Sequence, residues 1–214
     1  MKVTVFSAKG GVGKTPISVN LALDREYAIA TNETYHVLEA LFPDERLLAI
    51  GPNEEFPELP PDIDVIFDLG GAMGGDSQPS IVSALRQSDV VIVPVNNEYK
   101  SINGAFHTIR EVAPINDRIL VACTKLEKRR NEFFKSDWRE SKDFTEIMET
   151  LSGLVGRTLP AVPLKFSKGF DAIFTREMSL RQMVRAGGID AFSYRTIADQ
   201  LDDLVKEIDR IGNG

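Results

Sequence analysis

Ser7-Ala8-Lys9-Gly10-Gly11-Val12-Gly13-Lys14-Thr15 follows a short apolar alternation, Val3-Thr4-Val5-Phe6, and opens onto a helical pattern with Ile17 and Leu21 on one face. Strand, glycine loop and helix in that order are the setting that a phosphate-binding loop requires. A polyphosphate must be met by donors that come close without bulk. Gly10, Gly11 and Gly13 let backbone N–H groups turn inward, and a helix beginning near Lys14 adds free N–H groups and the positive end of its dipole. Lys14 is placed to reach the β- and γ-phosphates, and the Thr15 hydroxyl to ligate Mg²⁺.

The run fails the pattern G-x-x-x-x-G-K-[ST] at Ala8 and satisfies K-G-G-x-G-K-[ST] from Lys9 to Thr15. In this it resembles the deviant Walker A ATPases of the ParA/MinD superfamily, most of all the small plasmid partition ATPases. The resemblance implies ATP and Mg²⁺ as ligands, with Lys9, Gly10, Gly11, Val12, Gly13, Lys14, Thr15 and Pro16 at the nucleotide. It also implies an ATP-dependent homodimer in which Lys9 reaches the nucleotide of the other subunit.

Apolar runs recur at 2–6, 27–30, 47–50, 65–68, 90–94, 118–123 and, shorter, 161–163, with helical patterns between them. Strands alternating with helices predict an α/β fold with three layers, a mostly parallel central sheet covered by helices on both faces. The 214 residues suit a single domain over 1–214. No apolar run is long enough to cross a membrane, and the N-terminus enters the first strand directly. A lone Cys123 suits a reducing cytosol and excludes an internal disulfide or a cysteine-bound cluster. His36 and His107 have no partner at metal-ligand spacing.

Asp62-Ile-Asp-Val-Ile-Phe-Asp-Leu-Gly-Gly71 is an apolar strand ending in a carboxylate and two glycines. Asp68 is the expected Walker B residue, holding Mg²⁺ with Thr15. Leu69-Gly70-Gly71 resembles a switch II turn in which the Gly71 N–H senses the γ-phosphate. Ser88 to Gly104 resembles the family's next strand and dimer surface, with Glu98, Tyr99 and Ser101 beyond the strand end. Thr124-Lys125 and Pro163-Leu164 occupy the places where relatives contact the base. Thr124-Lys125 lacks the aspartate that reads guanine in N-K-x-D sequences, so adenine is expected.

Three departures bear on the activity the resemblance implies. Pro16 stands where relatives carry Thr or Ser. It is tolerated in a first helical turn but removes an N–H and a hydroxyl from the phosphates. Relatives have a switch I aspartate where this chain has Asn32, with Glu33 the nearest carboxylate; either Glu33 substitutes, or hydrolysis is very slow and depends on a partner. The chain between Thr15 and the second strand is short, and no helix-turn-helix precedes the loop, so operator recognition falls to another protein.

The net charge of −7 gives no general nucleic-acid signal, but residues 125–185 hold 13 basic and 9 acidic side chains, against 5 and 11 in residues 1–64. A basic face on an acidic body follows. Candidate contacts to non-specific DNA are Lys128, Arg129, Arg130, Lys165, Lys168, Arg176, Arg181 and Arg185. The last helix carries an apolar stripe from Ile197 to Ile211 and an acidic face including Asp199, Asp202, Asp203, Glu207 and Asp209, which predicts packing on the domain rather than attachment to anionic lipid.

The expected function is an ATP-dependent dimerising switch for DNA partition, slow or partner-stimulated in hydrolysis, reset by a DNA-bound, ParB-like adaptor. Its expected place is the cytoplasm, on the nucleoid when ATP is bound. Two alternatives stand beside it. A related ATPase could position a protein complex or serve conjugative transfer. A metabolic P-loop enzyme is a third reading, disfavoured by Lys9 and the Glu98-Tyr99-x-Ser101-x-x-Gly104 stretch.

Overall fold

In the computed structural model, which describes residues 1–34 and 37–214, each of the seven apolar runs is a strand. They are β1 (Lys2–Val5), β2 (Ala28–Thr31), β3 (Leu47–Ala49), β4 (Val65–Asp68), β5 (Val90–Val95), β6 (Ile119–Leu126) and β7 (Ala161–Lys165). They form one sheet in the order β3-β2-β4-β1-β5-β6-β7, and every pairing is parallel. Parallel neighbours need long crossovers, and helices supply most of them. The helices are α1 (Lys14–Asp24), α2 (Gln78–Gln87), α3 (Tyr99–Val112), α4 (Lys142–Val155), α5 (Gly169–Arg176), α6 (Leu180–Ala186) and α7 (Gly188–Gly212).

Side chains alternate across a strand, so each strand feeds two cores. Val3, Val5, Ile66, Ile92, Leu120, Ala122, Val162 and Leu164 point to one face, where they pack with Ile17 and Leu21 of α1, Ile173 of α5, Leu180 of α6 and Ile197, Leu201, Leu204 and Ile208 of α7. Phe67, Val91, Val93, Val121 and Cys123 point to the other, against Ile81 and Leu85 of α2, Ile109 of α3 and Ile147 of α4. This is the three-layer arrangement expected. Cys123 is fully buried, and burial pushes its thiol pKa well up, so it behaves as a small apolar side chain.

The acidic face of α7 is partly neutralised within the chain. Asp209 accepts from Arg25 at 3.0 and 3.1 Å, Asp199 and Asp202 pair with Arg181, and Lys206 and Arg210 pair with Asp203 and Glu207. Among the described residues no helix is long and apolar enough to cross a membrane.

The topology decides where a site can form. The chain leaves β1 for β2 and β3, returns to insert β4 between β2 and β1, then crosses to β5 on the far side of β1. In such sheets ligands sit beyond the carboxyl ends of the strands, near the point where the strand order reverses. The segments after β1, β2, β4, β6 and β7 all emerge at that end.

Candidate functional site

The loop after β1 has the backbone that its glycines predicted. Gly11 has φ +75° and Gly13 φ +96°, both in the left-handed region that favours glycine. Gly13 is the N-cap of α1, and the first helical bond runs from the Ile17 N–H to the Gly13 carbonyl at 3.3 Å. The N–H groups ahead of it have no partner inside the helix. Pro16 lies in that first turn, where a missing N–H breaks no helical bond but removes one donor aimed out of the helix end.

Two side chains of β6 hold the loop from behind. The Thr124 hydroxyl lies 2.9 Å from the Val12 carbonyl and 3.3 Å from that of Val95. Lys125, itself left-handed at φ +54°, donates through Nζ to the Gly11 carbonyl at 2.8 Å. On the α3 side, a Cβ built at Gly104 would lie 3.1 Å from Cβ of Lys9, so only a small residue lets the loop pass over that helix. Lys9 reaches the Gly10 carbonyl with Nζ at 3.2 Å on the rim.

Beside the loop lies a cavity of about 500 Å³, with one wall of Gly10, Gly11, Gly13, Lys14, Thr15 and Pro16 from the loop and the start of α1 and another of Lys165, Phe166, Ser167, Phe170 and Asp171 from the end of β7 and the start of α5. Glu33, Thr124 and Lys125 complete it. The volume lies in the range of small-molecule sites. Lys9, Val12, Asn32, Asp68 and Gly71 are not in its lining. Val12 is buried and offers its carbonyl to Thr124; Gly71 turns the chain after β4 at φ +87°.

Asp68 ends β4 and is 2% exposed. Ser18, one turn beyond Lys14, donates to its Oδ1 at 2.9 Å. Burial raises the carboxyl to about 6; hydrogen bonds from Thr15 and Ser18 pull it down, Glu33 pushes it up and Lys14 pulls it down. A buried carboxylate beside two hydroxyls offers oxygen donors of the kind a hard cation takes. Among the described residues no three His, Cys, Asp or Glu side chains cluster at metal-binding distance, so the chain alone builds no closed metal cage.

The segment after β2 holds Asn32 in a buried network. Its side chain is buried, with Nδ2 donating to Ser80 Oγ at 2.7 Å and to the Gly70 carbonyl at 3.2 Å, while Oδ1 accepts the Gly70 N–H at 2.8 Å. Both ends of the amide are committed, so Asn32 clips the β2 and β4 ends together instead of facing the cavity. Glu33 is the acid that faces it. Its side chain lies over the Gly70 Cα, where a Cβ would meet Glu33 Cγ and Oε1 at 2.6 Å.

Pro163 and Leu164 also lie outside the cavity lining. Both are buried inside β7, which runs to Lys165, and Leu164 belongs to the core under α7. The residues that reach the cavity come after them, from Lys165 to Asp171. The sequence reading missed Phe166, Phe170 and Ser18. An apolar residue just past a strand end was the available signal for Phe166, and a hydroxyl four residues after Lys14 the one for Ser18.

Several candidate DNA contacts are engaged within the chain. Arg181 is held by Asp199 and Asp202, Arg176 by Asp190 at 2.8 Å and Arg129 by Glu146 at 3.5 Å. Lys128 donates to the Lys135 carbonyl and stands 4.6 Å from the Trp138 ring centre. Lys165 belongs to the cavity. Arg130, Lys168 and Arg185 are exposed. Of the two histidines, His107 is exposed on α3 beside Phe106, and His36 lies outside the described residues.

No protein-family model matches the sequence, and no curated protein is significantly similar to it. Solved structures are similar in fold. MinD of Pyrococcus horikoshii OT3 complexed with Mg-ADP aligns at TM-score 0.58 and 13% identity, covering 95% of this chain and 96% of that one. The ATP complex of a single-substitution variant of McdA from Cyanothece aligns at 0.57 and 12%, covering 99% and 96%. A plasmid-partition-type protein of Borrelia burgdorferi B31 bound to AMPPNP aligns at 0.53 and 14%, covering 96% and 98%. The fold is therefore shared with these structures over nearly the whole length of both chains.

Proposed function

We propose that this chain is an ATP-binding, dimerising switch that serves DNA partition and hydrolyses ATP slowly or under the stimulus of a partner. The observation that carries the reading is the Lys9–Thr15 loop, set at the end of β1 in front of a cavity, with the buried Asp68 against the first turn of α1. The structural neighbours solved with ATP, AMPPNP and Mg-ADP support it.

In this reading the triphosphate lies along the loop, met by backbone N–H groups of Gly10 to Thr15 and by Lys14. Thr15 and Asp68 hold Mg²⁺, which when bound with nucleotide neutralises charge on the phosphate oxygens. Phosphoryl transfer to water depends on positioning more than on a strong base. Glu33 is the carboxylate that orients the water, and Asn32 fixes Gly70 beside it. Lys9, outside its own cavity, completes the site of the second subunit. The dimer contacts DNA phosphates through Arg130, Lys168 and Arg185, and a DNA-bound, ParB-like adaptor resets it.

Gel filtration with ATP and Mg²⁺, followed by binding to non-specific DNA at several salt concentrations, tests this. The expected result is a nucleotide-dependent dimer that Lys9→Ala abolishes without loss of ATP binding, and DNA affinity that falls steeply with salt. A dimer that ignores DNA would refute partition and leave a protein cargo. A nucleotide-bound monomer would refute the switch.

A further inference from the structure

We infer that Ser18 is a positioning residue for the divalent cation: its hydroxyl fixes the Asp68 carboxylate in the orientation that the cation meets. This rests on the Mg-nucleotide reading above and concerns a residue outside the Lys9–Thr15 motif.

Two hydroxyls meet one carboxylate. Thr15 and Ser18 are three residues apart on α1, so they share a face of that helix. Both hydrogen-bond Asp68, Ser18 from Oγ to Oδ1 at 2.9 Å. They differ in what else they can reach. Thr15 lines the cavity, where it can meet a ligand. Ser18 is fully buried and does not line it. Its other partner is the Lys14 carbonyl at 3.1 Å. A hydroxyl has one proton to give, and an ionised carboxylate is a stronger acceptor than a carbonyl. Ser18 therefore serves Asp68 and nothing outside the chain.

The carboxylate needs such a tie. The backbone of Asp68 is held on both sides, by Val5 of β1 and by Thr31 of β2. The sheet does not fix how the carboxyl group turns, because that terminal torsion is broad and roughly two-fold. A bond to one oxygen selects an orientation. Thr15, in the reading above, gives its oxygen to the cation; Ser18 lies too deep to do so, and its bond to Oδ1 stays in place. A partner that orients a metal ligand from behind raises metal affinity, because less ordering is left to the binding step.

The test measures binding of ATP and of tripolyphosphate, a ligand with the phosphates and no base, first in EDTA and then over a series of Mg²⁺ concentrations. It uses the full chain, Ser18→Ala and Ser18→Thr. In Ser18→Ala the Mg²⁺ concentration that gives half of the metal-dependent gain in affinity should rise by about 10- to 100-fold, the usual effect of losing a residue that orients a metal ligand. Affinity in EDTA should be unchanged, and the rise should be the same for both ligands, because the change acts on the cation alone. Ser18→Thr keeps the hydroxyl and should respond to Mg²⁺ as the parent chain does. An unchanged Mg²⁺ response in Ser18→Ala would overturn the inference. Equal losses in EDTA and in Mg²⁺ would overturn it too, since Ser18 would then be supporting the loop. A parent chain that binds both ligands without responding to Mg²⁺ would fail the metal reading and this inference with it, and one that binds neither would fail the nucleotide reading itself.

Discussion

The two walls of the cavity are made in different ways. The loop wall is made by backbone: left-handed glycines, a helix end with free N–H groups, and one lysine. The wall from Lys165 to Asp171 is made by side chains on a turn whose position depends on α6 and α7. Backbone geometry of the first kind demands particular residues at fixed spacing, so it leaves a sequence signature. The second kind accepts many residues and leaves almost none.

The largest test of the loop wall is Asp68→Asn. The folded chain holds the Asp68 proton up to pH about 6, against an ordinary value of 3.8. Between those values the unfolded chain binds fewer protons than the folded one, so stability falls as pH rises through that window and stays lower above it. Removing the charge should stabilise the ligand-free protein at pH 7 by about 3 kcal/mol, with the advantage vanishing near pH 4. Denaturant unfolding across that range checks it. The same variant should lose the Mg²⁺-dependent part of nucleotide binding. A stability gain without that loss would separate Asp68 from the metal.

Pro16→Thr sharpens the same wall. Restoring an N–H and a hydroxyl to the first turn of α1 should tighten ATP by about 1.5–3 kcal/mol, the worth of a hydrogen bond to a charged group. Because the added donors face phosphate, tripolyphosphate should gain as much as ATP does. A gain confined to ATP would place the phosphates elsewhere.

Asn32→Asp tests the seam between β2 and β4. An aspartate would set an acceptor against the Gly70 carbonyl, 3.2 Å from the present donor. The expected cost is about 1–3 kcal/mol of stability for the group left unpaired, with no rise in ATP turnover. Glu33→Ala should instead lower turnover and leave stability nearly unchanged. Faster hydrolysis in Asn32→Asp would return the catalytic role to position 32.

The contrast between walls also explains what could be read in advance. All seven strands were legible, because alternation and buried apolar runs reflect the sheet directly; β4 matches its expected range at both ends. The loop was legible for the backbone reason given above. The seam that Asn32 makes was not legible, because sequence position shows that a residue follows a strand, not which way its amide turns. The cavity position of Phe166 was not legible, because β7 continues two residues further than its apolar run. Arg176 and Arg181 looked free because their partners, Asp190, Asp199 and Asp202, lie up to 21 residues away along the chain.

Thr124→Val is the smallest test and acts where the two walls meet. The hydroxyl joins β6 to the back of the loop through the Val12 carbonyl, and its methyl lies 3.8 Å from where a Cβ would stand on Gly13. Valine keeps the methyl and the approximate volume but leaves the buried carbonyl without its donor, at a cost of about 1 kcal/mol. In a chain of this size that lowers the melting temperature by roughly 2–4 °C. If the loop is held from behind by this bond, ATP and tripolyphosphate should weaken together and slightly, because the tie acts on the phosphate wall alone. A loss for ATP that tripolyphosphate does not share would mean that Thr124 touches the base. The division between a backbone wall and a side-chain wall would then run through β6 itself.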